Sequence, residues 1–210
     1  VAMTSKPKFE LGVIILAAGQ SSRMGRPKML LSWGENTVLG HLIELWSQLP
    51  TEQVVVVCAK ADSGIRSELD RLHFTPENRV VNLDPARGMF SSVQCAARWK
   101  GWHPTLTHWA VALGDQPHLQ PATLQSLVGF AKQHPEKICQ PSRSGHPRHP
   151  VLFPRSPFKT LARSRSKTLK DFLEKDSAIT RVIELNDAGL DHDLDHPSDY
   201  EAALKLFPPQ

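Results

Sequence analysis

Two cations follow a buried apolar stretch near the start of the chain. The run from Val13 to Ala18 stops at Gly19, and Arg23 and Lys28 come shortly afterwards. An apolar run that ends at glycine is typical of a buried strand followed by a loop. Small residues let backbone N–H groups approach an anion, while Arg and Lys neutralise it. The stretch therefore predicts a loop that holds the phosphates of a nucleoside triphosphate.

The spacing of this loop differs from the two commonest phosphate-binding motifs. A Walker P-loop requires G-x-x-x-x-G-K-[S/T]. Here five residues separate Gly19 from Gly25, and Arg26 stands where that motif has lysine. The dinucleotide fingerprint G-x-G-x-x-G also fails, because Ser21 replaces its second glycine. The sequence therefore favours neither a P-loop NTPase nor a nicotinamide-dependent oxidoreductase.

Carboxylates at two other places could hold a metal ion. Asp115 follows an apolar run and a glycine, which also fits an ordinary surface turn. Asp193 and Asp195 lie in an acidic segment that could equally be a solvated loop with a helix cap at Ser198. Mg²⁺ prefers oxygen ligands and is usually held by one or two carboxylates together with substrate phosphates. A carboxylate beside the cationic loop would provide such a site.

Two further segments carry polar residues that could contact a ligand. Ser91 and Ser92 open a predicted helix just after Gly88 and predict its N-cap. The free N–H groups of a helix start also suit an anion or a base edge. His146 and His149 lie three residues apart in a proline-broken loop. Histidines in that setting are more typical of surface or packing residues than of a zinc site.

Strand-like and helix-like segments alternate along the chain. The predicted strands cover 13–18, 54–58, 80–83, 109–115 and 179–185. The predicted helices cover 38–49, 62–72, 91–99, 121–134 and 197–207, with a further helical pattern at 157–175. Two short extended runs near 137–153 predict a hairpin or an excursion over the sheet. This alternation predicts an α/β fold, a single domain over 1–210 with three α/β/α layers and a mostly parallel, Rossmann-like sheet.

The composition limits the class of protein. The chain has 210 residues, of which 40% are hydrophobic, and a net charge of +4 with a pI near 9.1. The basic residues form no long runs with interleaved aromatics, so we expect phosphate-bearing small molecules rather than nucleic acid as ligands. Three widely spaced cysteines predict free thiols. The start VAMTSKPKFE has no apolar signal region, and no segment is long enough to span a bilayer, so we expect a cytoplasmic protein without membrane contact.

The segment LAAGQSSRMGRPKMLL resembles the signature of the nucleotidyltransferases that act on the molybdenum cofactor. The resemblance is strongest to the cytidylyltransferase branch, since the guanylyltransferase branch usually has two glycines where this chain has Ala18-Gly19. It implies a GT-A-like fold, CTP as donor and Mg²⁺ as cofactor. It also implies a set of nucleotide-binding residues: Leu16, Ala17, Ala18, Gly19, Arg23, Lys28, Gly88, Ser92 and Asp115.

The same resemblance assigns roles to individual residues. Arg23, Lys28 and Asp115 would be catalytic, and the Gly-Asp-Gln-Pro stretch makes Asp115 the magnesium aspartate. The acidic tail makes Asp195 the second metal ligand, with Asp193 close behind. Arg148 and His149, within an acceptor-binding segment at about 137–175, would contact the anionic pterin phosphate. The family's G-D-x-G-A-R stretch is replaced here by Ser164 to Leu169, a departure that bears on the acceptor.

The resemblance implies transfer of CMP from CTP to the phosphate of molybdopterin, with release of pyrophosphate. A molybdoenzyme that receives the product would be a partner. Two alternatives stay open at this point. One is a related nucleotidyltransferase that acts on a sugar or alditol phosphate, and the other is a non-catalytic protein that binds the pterin cofactor.

Overall fold

The computed structural model describes residues 8–209 and is built around one mixed sheet. In chain order the strands are β1 (Leu11–Leu16), β2 (Ser32–Trp33), β3 (Asn36–Thr37), β4 (Gln53–Ala59), β5 (Arg79–Asn82), β6 (His108–Leu113), β7 (Ile138–Arg143), β8 (His146–Pro147), β9 (Val151–Pro154) and β10 (Thr180–Glu184). The main sheet has the order β10-β7-β9-β6-β1-β4-β5, and β2 and β3 form a separate hairpin. The α/β class with a mostly parallel sheet is confirmed.

Within residues 8–209, seven α-helices cover the two faces of the sheet. They are α1 (Val38–Ser47), α2 (Ser63–Arg71), α3 (Met89–Arg98), α4 (Pro121–Gln133), α5 (Arg155–Leu161), α6 (Leu169–Lys175) and α7 (Pro197–Leu206). Apolar residues of α1, α2, α4 and α7 join the core on one face, and those of α3, α5 and α6 join the core on the other. The layers are therefore α/β/α.

The central strand β1 contributes to both cores. Leu11, Val13 and Ile15 belong to one core, whereas Ile14 and Leu16 belong to the other. Successive side chains of a strand point to opposite faces, so a strand covered by helices on both sides must be apolar throughout. This requirement explains why the run that opened the sequence analysis is unbroken.

Open α/β sheets bind ligands at the carboxyl ends of the strands, at the point where the strand order reverses. The chain moves outwards from β1 to β4 and β5, and then returns to place β6 on the other side of β1. β1 pairs in parallel with both β4 and β6. Loops leaving the carboxyl ends of β1 and β6 therefore diverge, and open α/β sheets bind ligands in the crevice between such loops.

Several predicted boundaries differ from the structure. β1 covers 11–16 rather than 13–18, so Ala17 and Ala18 begin the loop. The helix predicted at 91–99 starts at Met89 because Gly88, at φ +87°, supplies the N-cap, and Ser91 and Ser92 lie inside its first turn. The single helical pattern at 157–175 is two helices, since Thr168 forms a capping box that starts α6.

The segment after α4 belongs to the main sheet. β7 turns back into β8 as a hairpin, and β9 lies antiparallel between β6 and β7. The hairpin alternative is confirmed, while the acceptor-binding role of 137–175 and the extent of a single domain over 1–210 stay predictions.

Two bulk expectations concern the cysteines and the membrane. Cys58, Cys95 and Cys139 are free thiols. Within residues 8–209 the structure has no helix of the length and apolarity that crossing a membrane requires. The expected absence of a signal peptide concerns the start of the chain, most of which lies outside the described residues, and the cellular location stays a prediction.

Candidate active site

The loop after β1 is folded back so that Lys28 returns to the end of the strand. Ser21 accepts a hydrogen bond from the backbone N–H of Lys28 on its Oγ (3.1 Å) and one from Met24 on its carbonyl oxygen (3.0 Å). Ser21 and Gly25 have φ values of +50° and +70°, which allow the tight turns. A short 3₁₀ turn, Lys28–Leu30, then presents the lysine towards β6.

Lys28 lies between two carboxylates from distant parts of the chain. Its Nζ is 2.5 Å from Oδ2 of Asp115 and 3.6 Å from Oδ1 of Asp195. Arg23 reaches the same carboxylate, with Nη2 2.9 Å from Oδ2 of Asp195. The side chains of Lys28 and Asp115 are only 16% and 18% exposed. The structure thus brings together the two predicted phosphate-binding cations and the two acids first named as metal ligands.

The carboxylate oxygens suit a hard divalent cation. Oδ1 of Asp115 is buried and has no hydrogen-bond partner in the described chain, so a lone pair is available. Residues 8–209 contain no group of three or more His, Cys, Asp or Glu side chains that could hold a metal ion by themselves. Two carboxylates are nevertheless enough for Mg²⁺ when substrate phosphates and water complete its shell. Asp115 and Asp195 therefore fit a metal that binds together with a nucleotide.

The tail of the chain is held against the loop after β6 by hydrogen bonds. The backbone N–H of Leu194 donates to the carbonyl oxygen of Asp115 (3.1 Å), and Gln116 Nε2 donates to Asp193 Oδ1 (2.9 Å). Buried His118 directs Nε2 towards the carbonyl oxygens of Gly189 (3.1 Å) and His192 (2.9 Å). These contacts place Asp195 opposite Lys28, about 80 residues along the chain from Asp115.

A second anchor holds the start of this tail. The buried carboxylate of Asp187 accepts hydrogen bonds from the Gly189 N–H (2.8 Å), the Gln120 N–H (3.2 Å) and Thr123 Oγ1 (2.7 Å). It therefore joins the tail to the first turn of α4. Sequence reasoning missed both anchors, although Asp187, an acid directly before Ala188-Gly189-Leu190, was a usable signal.

Asp193 and Asp195 occupy different environments. Asp195 lines the cleft with Lys28, whereas Asp193 is not among the lining residues and is held by Gln116. Partial desolvation, followed by the nearby negative charge of Asp115, raises the pKa of Asp193 above its ordinary value. The geometry therefore favours Asp195 over Asp193 as the second ligand, in line with the order predicted from the sequence.

The cleft between the two loops has a volume of about 390 Å³, within the usual range for small-molecule sites. It contains all nine predicted nucleotide-binding residues together with Asp195. It also contains lining residues that the sequence did not suggest, namely Gln20, Met29, Pro85, Ala86, Met89, Leu113 and Gly114. Most of these are apolar and give no chemical signal in a single sequence.

Ser92 is positioned by a buried asparagine at the end of β5. Nδ2 of Asn82 donates to Oγ of Ser91 (2.8 Å) and to Oγ of Ser92 (2.9 Å). Ser91 Oγ also donates to the Gly88 carbonyl oxygen (2.7 Å). The start of α3 is therefore fixed against the sheet, which holds the far end of the cleft in one shape. A polar residue directly after the apolar pair of β5 was the available signal for Asn82.

The predicted acceptor residues lie outside the cleft. Arg148 is paired with Asp191, with Nη2 and Nε each 2.8 Å from Oδ1 of that carboxylate, which Arg143 also contacts. Burial lowers the pKa of His149 despite the opposing charge of Asp115, and its Nδ1 has no partner in the described chain. Their contact with an acceptor stays a prediction.

Comparison with known proteins gives a family match over most of the chain. A family model described as the MobA-like NTP transferase domain matches residues 13–181. The molybdenum cofactor cytidylyltransferase of Escherichia coli (strain K12) is 28% identical over 199 residues, which cover 92% of this chain and 95% of that protein. The 2-C-methyl-D-erythritol 4-phosphate cytidylyltransferase of Vibrio cholerae serotype O1 is 31% identical over 125 residues, 58% of this chain and 52% of that protein.

The similarity extends to solved structures. Rv0371c from Mycobacterium tuberculosis H37Rv superposes with a TM-score of 0.76 at 28% identity, over 94% of this chain and 98% of that chain. A manganese complex of Rv0371c superposes with a TM-score of 0.71 at 25% identity, over 93% and 98% of the two chains. The region that the family model matches, residues 13–181, includes the loops that follow β1 and β6.

Proposed function

The chain belongs to the MobA-like NTP transferase family and is a nucleotidyltransferase, and from this premise we propose that it transfers CMP from CTP to the phosphate of molybdopterin or its molybdenum form. Pyrophosphate is the other product. The observation that carries the proposal is the convergence of Arg23, Lys28, Asp115 and Asp195 at the mouth of one cleft.

The charges of the site residues determine their roles in the transfer reaction. An oxygen of the acceptor phosphate attacks the α-phosphorus of CTP, a new P–O bond forms, and the bond to the β-phosphate oxygen breaks. Because the acceptor is already an anion, no protein nucleophile is needed. Arg23 and Lys28 bind the triphosphate and stabilise the charge that develops on the departing pyrophosphate. Reactions of this kind depend chiefly on positioning and charge neutralisation.

A divalent cation has a defined place in this proposal. Asp115 and Asp195 would hold Mg²⁺, with Asp115 Oδ1 as its free buried donor. When bound, the ion would neutralise phosphate charge. It would also balance the charge of the carboxylates, and Lys28, whose Nζ is 2.5 Å from Asp115 Oδ2, would then contact phosphate oxygens.

The choice of CTP rests on the family correlation at Ala18. Ala17 and Ala18 are buried at the start of the loop and line the cleft. A small side chain there narrows the space beside the backbone compared with glycine. We propose that this favours the smaller pyrimidine base.

A second acceptor class is supported by the similarity to an erythritol-phosphate cytidylyltransferase. The segment from Ser164 to Leu169, which departs from the molybdenum-cofactor pattern, gives further reason to test it. Membership in a nucleotidyltransferase family favours an enzyme over a non-catalytic pterin carrier.

The test is pyrophosphate release measured over a matrix of donors and acceptors with Mg²⁺. CTP, GTP and ATP are each combined with molybdopterin, with an alditol phosphate and with no acceptor. We expect release with CTP and molybdopterin only, and a Lys28→Ala preparation measures the contaminating background. If pyrophosphate is released with the alditol phosphate but not with molybdopterin, the acceptor is an alditol phosphate. If no donor and acceptor pair gives release, the proposed activity is refuted.

A further inference from the structure

A second cavity, larger than the cleft, lies at the opposite edge of the sheet. It is an open groove of about 1660 Å³ at the amino end of β6, lined from one side by the end of α4 and from the other by α5 and the residues after it. His108, the first residue of β6, lies in its floor beside Phe9. The cleft residues described above are absent from this lining.

The groove concentrates the positive charge of the chain. Five of its lining residues are cations, Lys8, Lys132, Arg155, Lys159 and Arg163, and all five are exposed. Among the described residues of the lining, Glu136 is the single acid. The groove therefore carries an excess of four positive charges, as large as that of the whole chain, which has 25 cations and 21 acids.

Most of these cations have no carboxylate to balance them. Lys8 pairs with Glu10, but no Asp or Glu of the described chain lies within 4.0 Å of the nitrogens of the other four. From Arg155 to Lys170, both included, the sequence has six cations and no acid. The groove thus presents a positive potential that is not cancelled locally, and such a surface attracts and orients an anionic partner.

The aromatic residues of the groove argue against a nucleic acid. Single-stranded nucleic acids gain much of their affinity by stacking bases on free aromatic faces. The ring of Phe9 is stacked on His108 with centroids 4.1 Å apart, and Lys132 Nζ lies 5.5 Å from its centroid. The Phe9 ring therefore already packs against protein groups of the groove itself, which favours a partner bound by charge over one bound by base stacking.

From these observations we propose that the groove docks an acidic segment of a partner protein. Because the groove and the cleft lie at opposite ends of the strands, the partner can stay bound while nucleotide and acceptor enter the cleft. Carboxylates spaced along a polypeptide match cations drawn from two sides of an open groove. This inference stands independently of which acceptor the enzyme uses.

The first experiment measures binding of a fluorescein-labelled peptide rich in Asp and Glu by anisotropy at physiological ionic strength. The same peptide with Asn and Gln in place of the acids and a single-stranded oligonucleotide of equal charge are run in parallel. We expect the acidic peptide to bind more tightly than both. Lys159→Glu with Arg163→Glu should weaken its binding roughly tenfold or more, since like charges at a docking surface are strongly unfavourable.

Matched controls separate the groove from the general charge of the protein. Lys60→Glu with Lys205→Glu makes the same change in net charge at exposed positions outside the groove, and peptide binding should change less than about twofold. Carbodiimide coupling of the bound peptide, which joins carboxylates to nearby amines, should modify Lys8, Lys132 and Lys159 rather than Lys60 and Lys205.

Each other outcome overturns the proposal. Preferred binding of the oligonucleotide would assign the groove to nucleic acid. Equal weakening by both charge-reversed pairs would show unspecific attraction. No binding of the acidic peptide would remove the docking role altogether. Circular dichroism and the melting temperature of the Lys159/Arg163 variant, both expected to match the wild type, confirm that the protein is folded.

Discussion

At the scale of single residues, Lys28 decides how the cleft balances charge. Its ammonium group is largely buried and contacts both carboxylates that face the cleft. Without it, two carboxylates and a triphosphate would share a site in which one exposed arginine is the remaining cation among the four converging residues. Such a site binds the charge of the departing pyrophosphate poorly.

We therefore expect Lys28→Ala to lower the rate of pyrophosphate release by roughly a hundredfold to a thousandfold, the usual cost of losing one group that stabilises developing negative charge. The matched variant is Lys60→Ala, at an exposed lysine outside the cleft. It should keep the wild-type rate. Circular dichroism should show the same secondary structure for both variants, and full activity of Lys28→Ala would contradict the role.

The two acids of the tail provide a second prediction. Asp195 faces Lys28 and Arg23 in the cleft, whereas Asp193 is bound by Gln116 outside it. Asp195→Asn should weaken Mg²⁺-dependent binding of CTP roughly tenfold, equivalent to one lost charged contact. Asp193→Asn should change it much less. Calorimetric titration with and without Mg²⁺ distinguishes the two, and the reverse order would make Asp193 the ligand.

Sequence alone could identify much of the site because the chemistry is carried by distinctive residues. Arg23, Lys28 and Asp115 follow apolar runs, and parallel strands bring such positions to one edge. The apolar lining could not be predicted, since Met29 or Pro85 looks like any core or turn residue. Asp187 was missed because its role depends on a contact with α4 more than 60 residues away.

At the scale of elements, the close approach of β1 and β6 shapes the cleft. A Cβ atom on Gly114 would lie 2.4 Å from the carbonyl oxygen of Leu16 and 2.6 Å from the Sδ of Met29. The ends of the two strands can meet at this distance only without a side chain. Glycine between β6 and Asp115 is therefore required by packing.

Gly114→Ala should destabilise the protein by roughly 1–3 kcal/mol, the cost of overpacking a rigid site, and should lower activity by displacing Asp115. Gly129→Ala is the matched control, because a Cβ there meets nothing within 4 Å and the residue lies inside α4. It should stabilise the protein by about 0.5–1 kcal/mol through helix propensity. Chemical denaturation measures the change in the free energy of unfolding for each variant. Equal changes in the two variants would contradict the packing argument.

The predicted strands agree best with the structure where both faces of a strand are buried. Strands β1, β4 and β6 are apolar on both faces, so their runs are continuous and easy to recognise. The antiparallel direction of β9 could not be predicted, because it depends on how the preceding hairpin turns. Strand direction does not change the spacing of apolar residues along the strand. Edge strand β10 was predicted although Val182 is 48% exposed. The break before α6 did have a signal, the capping pair Thr168 and Asp171.

At the scale of the whole molecule, the composition alone does not show how charge is distributed over the surface. A net charge of +4 is a mild basic excess and does not show where on the surface the cations lie. The fold collects cations from residue 8 and from 132–163 in one groove. Residues that are distant in sequence meet at the amino end of the sheet because α4 and α5 both border it. Only the three-dimensional arrangement distinguishes a docking surface from a uniform excess.

Partly buried histidines give the whole molecule a defined pH dependence. Burial lowers the pKa of His41, His108, His118 and His149 below the ordinary value of 6.5. Below that pH the unfolded chain therefore binds more protons than the folded protein, so the free energy of unfolding rises with pH. Their stabilising effect is complete above pH 6.5 and is lost as the pH falls through the lowered values. Asp193, with its raised pKa, acts in the opposite direction.

We expect the melting temperature to fall between pH 7.5 and pH 5.5, with protons taken up on unfolding. His108 and His118, each only 5% exposed, contribute at most about 1.4 kcal/mol per pH unit each. The measurements stay above pH 5 so that the acids do not contribute. Hydrogen bonds lower the pKa values of Glu68, Glu184 and Asp191 below their ordinary values of 4.5, 4.5 and 3.8.

The variant His118→Gln tests the contribution of one histidine, since an amide can still donate to a tail carbonyl but does not titrate. Its melting temperature should depend less on pH than that of the wild type, whereas exposed His146→Gln should leave the slope unchanged. An unchanged slope in His118→Gln, or a wild-type melting temperature that rises on acidification, would contradict the burial argument. Because His118 also holds the tail that carries Asp195, the same variant should lose affinity for CTP with Mg²⁺ at pH 7.5, where titration plays no part.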